Sequence, residues 1–246
     1  MKLLVLAAGY ATRLYPLTLD RPKALLDVAG RPMLEHVLER LAPIEPIDGT
    51  YVVTNSKFAD QFAEWERSSA FDATVIDDGT TDDATKRGAI GDIVHVLDRE
   101  AIDDDLVVVA GDNLFSDPLD GFVETSLARR TPVLAVYDIG DLEAIRHYNA
   151  IEVDGAGRIT FFEEKPREPR STLIGIALYF YPRERLDLVR RYVREGNNPD
   201  QPGRLVEWLY PRTAVFTWRV PGVWYDIGTK ESLEEADRVF SQLGRA

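Results

Sequence analysis

Short apolar runs, each followed by a stretch with helical spacing, recur through the first half of the chain. KLLVL (Lys2–Leu6), TYVVT (Thr50–Thr54), ATVI (Ala73–Ile76) and LVVVA (Leu106–Ala110) have the length of strands and are rich in β-branched residues. Amphipathic patterns fill the intervals: a helix from about Pro32, then Lys57–Arg67 and Gly88–Arg99. A strand that is apolar on both faces needs cover on both, and strands alternating with helices give a mostly parallel sheet between helical layers. The chain is therefore expected to be α/β and Rossmann-like, with three layers and a mostly parallel, mixed central sheet.

From Tyr148 the rhythm changes. Ile151–Val153 and Arg158–Glu163 flank DGAG, a hairpin turn, and Leu173–Tyr181 is a further strand. A helix near Arg183–Arg194, a loop rich in Pro, Gly and Asn, a short helix through Trp208 and a strand at Ala214–Arg219 follow. Thr229 is placed to cap a last helix ending at Leu243. No linker or repeat interrupts residues 1–246, which read as a single domain.

The residues after the first strand suggest chemistry. Ala7, Ala8 and Gly9 are small enough for a ligand to approach the backbone, and free N–H groups in such a turn cradle phosphate oxygens. Arg13 and Lys23 add fixed positive charge to the same loop. In a chain of formal charge −13, those cations must be concentrated locally to hold an anion. The same charge argues against nucleic acid as a partner, since a phosphate backbone calls for a basic face. With no cysteine there is no thiolate nucleophile or Cys-ligated metal, and the three histidines show no metal-ligand spacing. Without a leader or an apolar run of spanning length, the expectation is a cytoplasmic chain with no membrane partner.

Three further motifs lie downstream. LVVVA runs into Gly111-Asp112-Asn113, and a carboxylate at the C-terminal end of a parallel strand lies where open α/β sheets bind ligands. Such an oxygen suits Mg²⁺, although a lone GD also caps turns. Glu163-Glu164-Lys165-Pro166 carries a lysine whose position before proline predicts extended backbone. Trp224-Tyr225-Asp226-Ile227-Gly228-Thr229 offers a second carboxylate more than a hundred residues from the first. Asp103-Asp104-Asp105 precedes the central strand, at the opposite sheet edge, and reads as a solvated turn.

Together these stretches resemble the sugar-1-phosphate nucleotidyltransferases, whose loop reads G-x-G-T-R followed by P-K. Gly9, Thr12, Arg13, Pro22 and Lys23 match; Ala11 replaces the second glycine, and alanine disfavours positive φ there. The resemblance implies the nucleotidyltransferase fold, with residues 1–140 mainly nucleotide-binding and 141–246 mainly binding sugar phosphate. It implies transfer from an NTP to a sugar 1-phosphate, with Arg13, Lys23, Asp112, Lys165 and Asp226 catalytic. Mg²⁺ would sit on Asp112 and Asp226. Ala7, Ala8, Gly9, Thr12, Arg13, Lys23, Gly88 and Asp112 would bind the nucleotide, and Asn149, Glu164 and Lys165 the sugar phosphate.

Gly88 stands where relatives read the base, but it equally suits a helix start packed closely on its neighbours. Asp83 stands about where some relatives have a base-reading glutamine, which leaves the base open. The C-terminal helix and exposed aromatics provide a face for a homodimer or higher homo-oligomer. Two alternatives share the loop: a cytidylyltransferase acting on inositol phosphate or phosphocholine, and a non-catalytic nucleotide-sugar-binding regulator. Other nucleotide folds fit poorly, because neither G-x-G-x-x-G nor G-x-x-x-x-G-K occurs.

Overall fold

The structure, a computed structural model, describes residues 1–243. The N-terminal part contains β1 (Lys2–Leu6), β2 (Asp27–Val28), β3 (Arg31–Pro32), α1 (Met33–Leu41), β4 (Gly49–Thr54), α2 (Ala59–Ser68) and β5 (Thr74–Asp77). The middle contains α3 (Ala89–Arg99), β6 (Leu106–Ala110), β7 (Asn113–Phe115), α4 (Asp120–Arg129) and β8 (Val133–Asp138). The remainder contains β9 (Asn149–Val153), β10 (Ile159–Glu164), β11 (Leu173–Tyr181), α5 (Leu186–Arg194), α6 (Pro202–Leu209), β12 (Phe216–Arg219), β13 (Trp224–Asp226) and α7 (Lys230–Leu243). The main sheet has the strand order β12-β8-β11-β6-β1-β4-β5. β1–β4, β4–β5 and β8–β12 are parallel and β8–β11 antiparallel, so the sheet is mixed and mostly parallel, with helices on both sides. No described helix is long and apolar enough to cross a membrane.

Two compact units divide the chain, each discontinuous in sequence. The first takes Met1–Arg87, Val109–Leu119 and the segment from Pro221. Leu3, Leu4 and Val5 of β1 are wholly buried, and α1 buries the stripe Met33, Leu34, Val37, Leu38 and Leu41 that its helical spacing places on one side. Thr229 caps α7, accepting the Ser232 N–H on its hydroxyl at 3.2 Å. Phe240 of α7 then packs edge-on against His36 and Tyr225.

The second unit takes Gly88–Val108 and Asp120–Val220. Ile90, Ile93, Val96 and Leu97 of α3, Leu186 and Val189 of α5, and Leu205, Val206 and Leu209 of α6 supply its helical core. The DGAG turn forms as expected: Asp154 accepts the N–H groups of Ala156 and Arg158 on one carboxylate oxygen, which closes the β9–β10 hairpin. The acidic triplet departs from expectation. Asp105 is buried, paired with Arg130 and accepting the Arg183 N–H, while Asp103 pairs with the Arg183 guanidinium. Asp103 and Asp105 staple this sheet end through ion pairs, and Asp105 is not solvated, because the segments after α4 and β11 bring their arginines here.

Candidate active site

The loop after β1 is built on its own backbone. Asn55, fully buried, donates its amide to the Ala8 carbonyl and accepts the Phe58 N–H, while the Ala7 N–H donates to Val53. Ala11 adopts φ 48°, ψ 42°, the left-handed region that glycine adopts without steric cost. Its carbonyl accepts both the Leu14 N–H at 3.0 Å and the Thr18 hydroxyl at 2.8 Å. Ala11 thus takes up the left-handed turn despite its Cβ, and Thr18, buried completely, helps to hold it there. A Cβ at Gly9 would meet no atom within 4 Å, so the loop is open beside that residue. Thr12 and Arg13 are exposed in the following 3-10 turn.

Lys23 begins a second 3-10 turn, and its ammonium forms an ion pair with Asp112. Asp226 converges on the same place through a local device. β13 pairs antiparallel with β7 in a register that sets Asp226 opposite Asn113, and the Ile227 N–H reaches the Asp112 carbonyl at 3.3 Å. Asp226 is exposed to solvent. The protein atoms crowding its carboxyl nevertheless push its pKa up to about 6, the Asp112 charge adding to the rise while Lys23 and Arg13 oppose it.

Asn113, missed by sequence reasoning, braces this pair. The Trp224 indole N–H can only donate, so it turns the Asn113 carbonyl oxygen toward itself at 2.8 Å. The Asn113 amide nitrogen is thereby aimed at Asp112, 3.0 Å away. Its place inside G-D-N was the one available signal; nothing in the spacing linked it to Trp224.

The donor set can be tested against Mg²⁺. Among the described residues no group of three or more His, Cys, Asp or Glu side chains could hold a metal. Two carboxylates beside the open loop after β1 nonetheless suit Mg²⁺, since it keeps waters and takes further oxygens from phosphates. The residues fit the ion.

The remaining predicted residues lie in the second unit. Asn149 and Glu164 face each other across the β9–β10 hairpin. The Asn149 amide is occupied at both ends by Gly175, donating to its carbonyl at 3.0 Å and accepting its N–H at 2.6 Å. Burial raises the Glu164 pKa, opposed by the charges of Lys165 and Arg204. Lys165 is exposed, but its backbone is left-handed at φ 51°, not extended, and its N–H donates to the Tyr148 carbonyl at 2.7 Å. That bond to the turn before β9 overrides the preference set by the following proline. Gly88 precedes α3 at φ 77°, and a Cβ there would come within 2.7 Å of the Pro199 carbonyl and the Asp200 Cα. Close packing alone therefore requires glycine at 88.

The nucleotidyl transferase family profile matches residues 2–242. Among characterised relatives, the bifunctional protein GlmU of Methanocaldococcus jannaschii is 25% identical over 241 residues, covering 97% of this chain and 54% of that protein. Glucose-1-phosphate thymidylyltransferase of Streptomyces antibioticus is 28% identical over 239 residues, covering 97% and 65% respectively. The chain thus spans roughly half to two-thirds of the length of these relatives. The crystal structure of a UDP-glucose pyrophosphorylase in complex with UDP-glucose superposes with a TM-score of 0.79 at 19% identity, covering 98% of each chain, which attests the fold. With a family profile spanning nearly its whole length, the chain belongs to the nucleotidyl transferase family.

Proposed function

We propose that this protein transfers a nucleotidyl group from an NTP to a sugar 1-phosphate, giving an NDP-sugar and pyrophosphate. A phosphate oxygen of the sugar phosphate bonds to the α-phosphorus of the NTP, and the bond from that phosphorus to the bridging oxygen of the leaving pyrophosphate breaks. The observation that carries this reading is the convergence of Lys23, Asp112 and Asp226 beside the loop that ends β1. Enzymes of the family generally use a divalent metal. Asp112 and Asp226 would hold Mg²⁺, which when bound supplies positive charge to the α-phosphate.

The other steps belong to the chain's own side chains. A phosphate monoester has its second pKa near about 6, so the attacking oxygen is ionised at neutral pH and no general base is needed. Positioning and charge neutralisation are what remain. Lys23 holds the nucleotide phosphates, Arg13 the charge that develops on pyrophosphate, and Lys165 the attacking phosphate. Glu164 accepts a hydrogen bond from a sugar hydroxyl. A hexose 1-phosphate with a pyrimidine or deoxythymidine nucleotide is the preferred pair. A cytoplasmic setting and a homodimer or higher homo-oligomer belong to the same reading.

The test is pyrophosphate release in the presence of Mg²⁺, with each common NTP against a panel of sugar, inositol and choline phosphates. Release confined to a sugar 1-phosphate supports the proposal. Release with CTP and an inositol or choline phosphate would replace it with the cytidylyltransferase alternative. Nucleotide-sugar binding without release from any pair would replace it with the regulator.

A further inference from the structure

We propose that Gly203 is a positioning residue for Glu164, and that the missing side chain at 203 sets where an acceptor hydroxyl is read. The inference rests on the reading of Glu164 given above. Gly203 is the second residue of α6, directly after Pro202. Glycine is among the poorest helix formers, and its usual justification, a left-handed backbone, does not apply at this position. Space supplies the reason. A Cβ built on Gly203 would overlap the Glu164 Oε2 atom and lie 3.0 Å from its Cδ, whereas Phe162, the next neighbour, is 3.4 Å away. The carboxylate therefore lies in the volume that any other residue at 203 would fill.

Three features indicate what that placement does. The first turn of a helix presents a partial positive charge, which favours a carboxylate laid against it. Glu164 is half-buried, and the burial that raises its pKa is opposed by the charges of the neighbouring Lys165 and of Arg204 in the same turn. Among the described residues nothing donates a hydrogen bond to that carboxylate or pairs with it, so its lone pairs are left for a ligand. Held by packing and helix field alone, Glu164 keeps its position only while residue 203 has no side chain. The colliding atoms are the far end of a flexible side chain, so a Gly203→Ala protein yields by moving Glu164 and not its backbone.

The experiment compares the whole wild-type protein with Gly203→Ala, Glu164→Ala and the double variant. Thermal midpoint, KM for glucose 1-phosphate and for dTTP, and the Glu164 carboxyl titration by NMR are measured for each. Gly203→Ala is expected to keep or raise the thermal midpoint, because alanine suits the helix better. It should raise KM for glucose 1-phosphate about tenfold, as for loss of a hydrogen bond to a charged group, with KM for dTTP unchanged. The double variant should be no worse than Glu164→Ala, and the Glu164 titration should move toward the ordinary carboxylate range. An unmoved titration, or penalties that add in the double variant, would overturn the positioning role. A Glu164→Ala protein with normal KM for glucose 1-phosphate would overturn the reading of Glu164, and the inference with it.

Discussion

Ala11 offers a direct test of how the loop after β1 is held. The left-handed backbone costs a residue bearing a Cβ about 1–2 kcal/mol, and Ala11 sits well inside that region at φ 48°, ψ 42°. Replacing it by glycine removes this cost but adds freedom to the unfolded chain, which offsets roughly 0.4–1 kcal/mol. The net expectation for Ala11→Gly is a stabilisation of about 0.5–1 kcal/mol, or a rise in Tm of roughly 1–4 °C for a chain of this size. Ala11→Val carries the opposite sign, because a β-branched residue tolerates positive φ least. Urea unfolding of the three proteins, fitted with a common m-value, gives the comparison. Two results would refute the reasoning. If Ala11→Gly were destabilised at unchanged m, the native loop would not hold residue 11 left-handed. If Ala11→Val were as stable as the wild type, the loop would tolerate an extended residue there.

Arg13→Ala is expected to lower turnover roughly 10²-fold or more, as for other donors of charge to a transition state, with KM for the acceptor little changed; steady-state kinetics decide it. Asn113→Ala leaves the Trp224 N–H without its acceptor and Asp112 without its brace, at a cost of about 1–3 kcal/mol in chemical denaturation. His36 supplies a pH signature in stability. Burial lowers its pKa most, the Arg31 charge acting the same way, against a hydrogen bond to the Val28 carbonyl that favours the charged form. The unfolded chain therefore takes up the proton first, so the His36 contribution is complete above the unfolded value of about 6.5 and is lost as pH falls through the lower folded value. The stability of the wild type relative to His36→Gln should decline from pH 7 to pH 5; a flat difference would count against it.

How far the sequence could be read depended on the range of the cause. The strands at Lys2–Leu6, Thr50–Thr54 and Leu106–Ala110 were legible because β-branched apolar runs need only their neighbours to declare themselves. So was the Thr229 cap. Strand β8 and helix α4 lie in a stretch where the sequence pattern assigned nothing. The convergence of Asp112 with Asp226 depends on ribbon register, which no local spacing encodes. Lys165 was expected extended because the following proline was the visible influence, while the bond to Tyr148 was not. Asp105 looked like one of three surface acids until its arginines arrived from residues 130 and 183.

The ribbon of β7 and β13 also sets a time order on the birth of the site. Residue 112 leaves the ribosome more than a hundred residues before residue 226, which lies on the strand that pairs with β7. Closing so long a loop is slow compared with forming the strands and helices on either side. A nascent chain halted before Trp224 carries the loop after β1, Lys23 and Asp112, yet lacks Asp226 and the indole that aligns Asn113. On the reading proposed above, the two carboxylates can share a metal only once synthesis has passed residue 226.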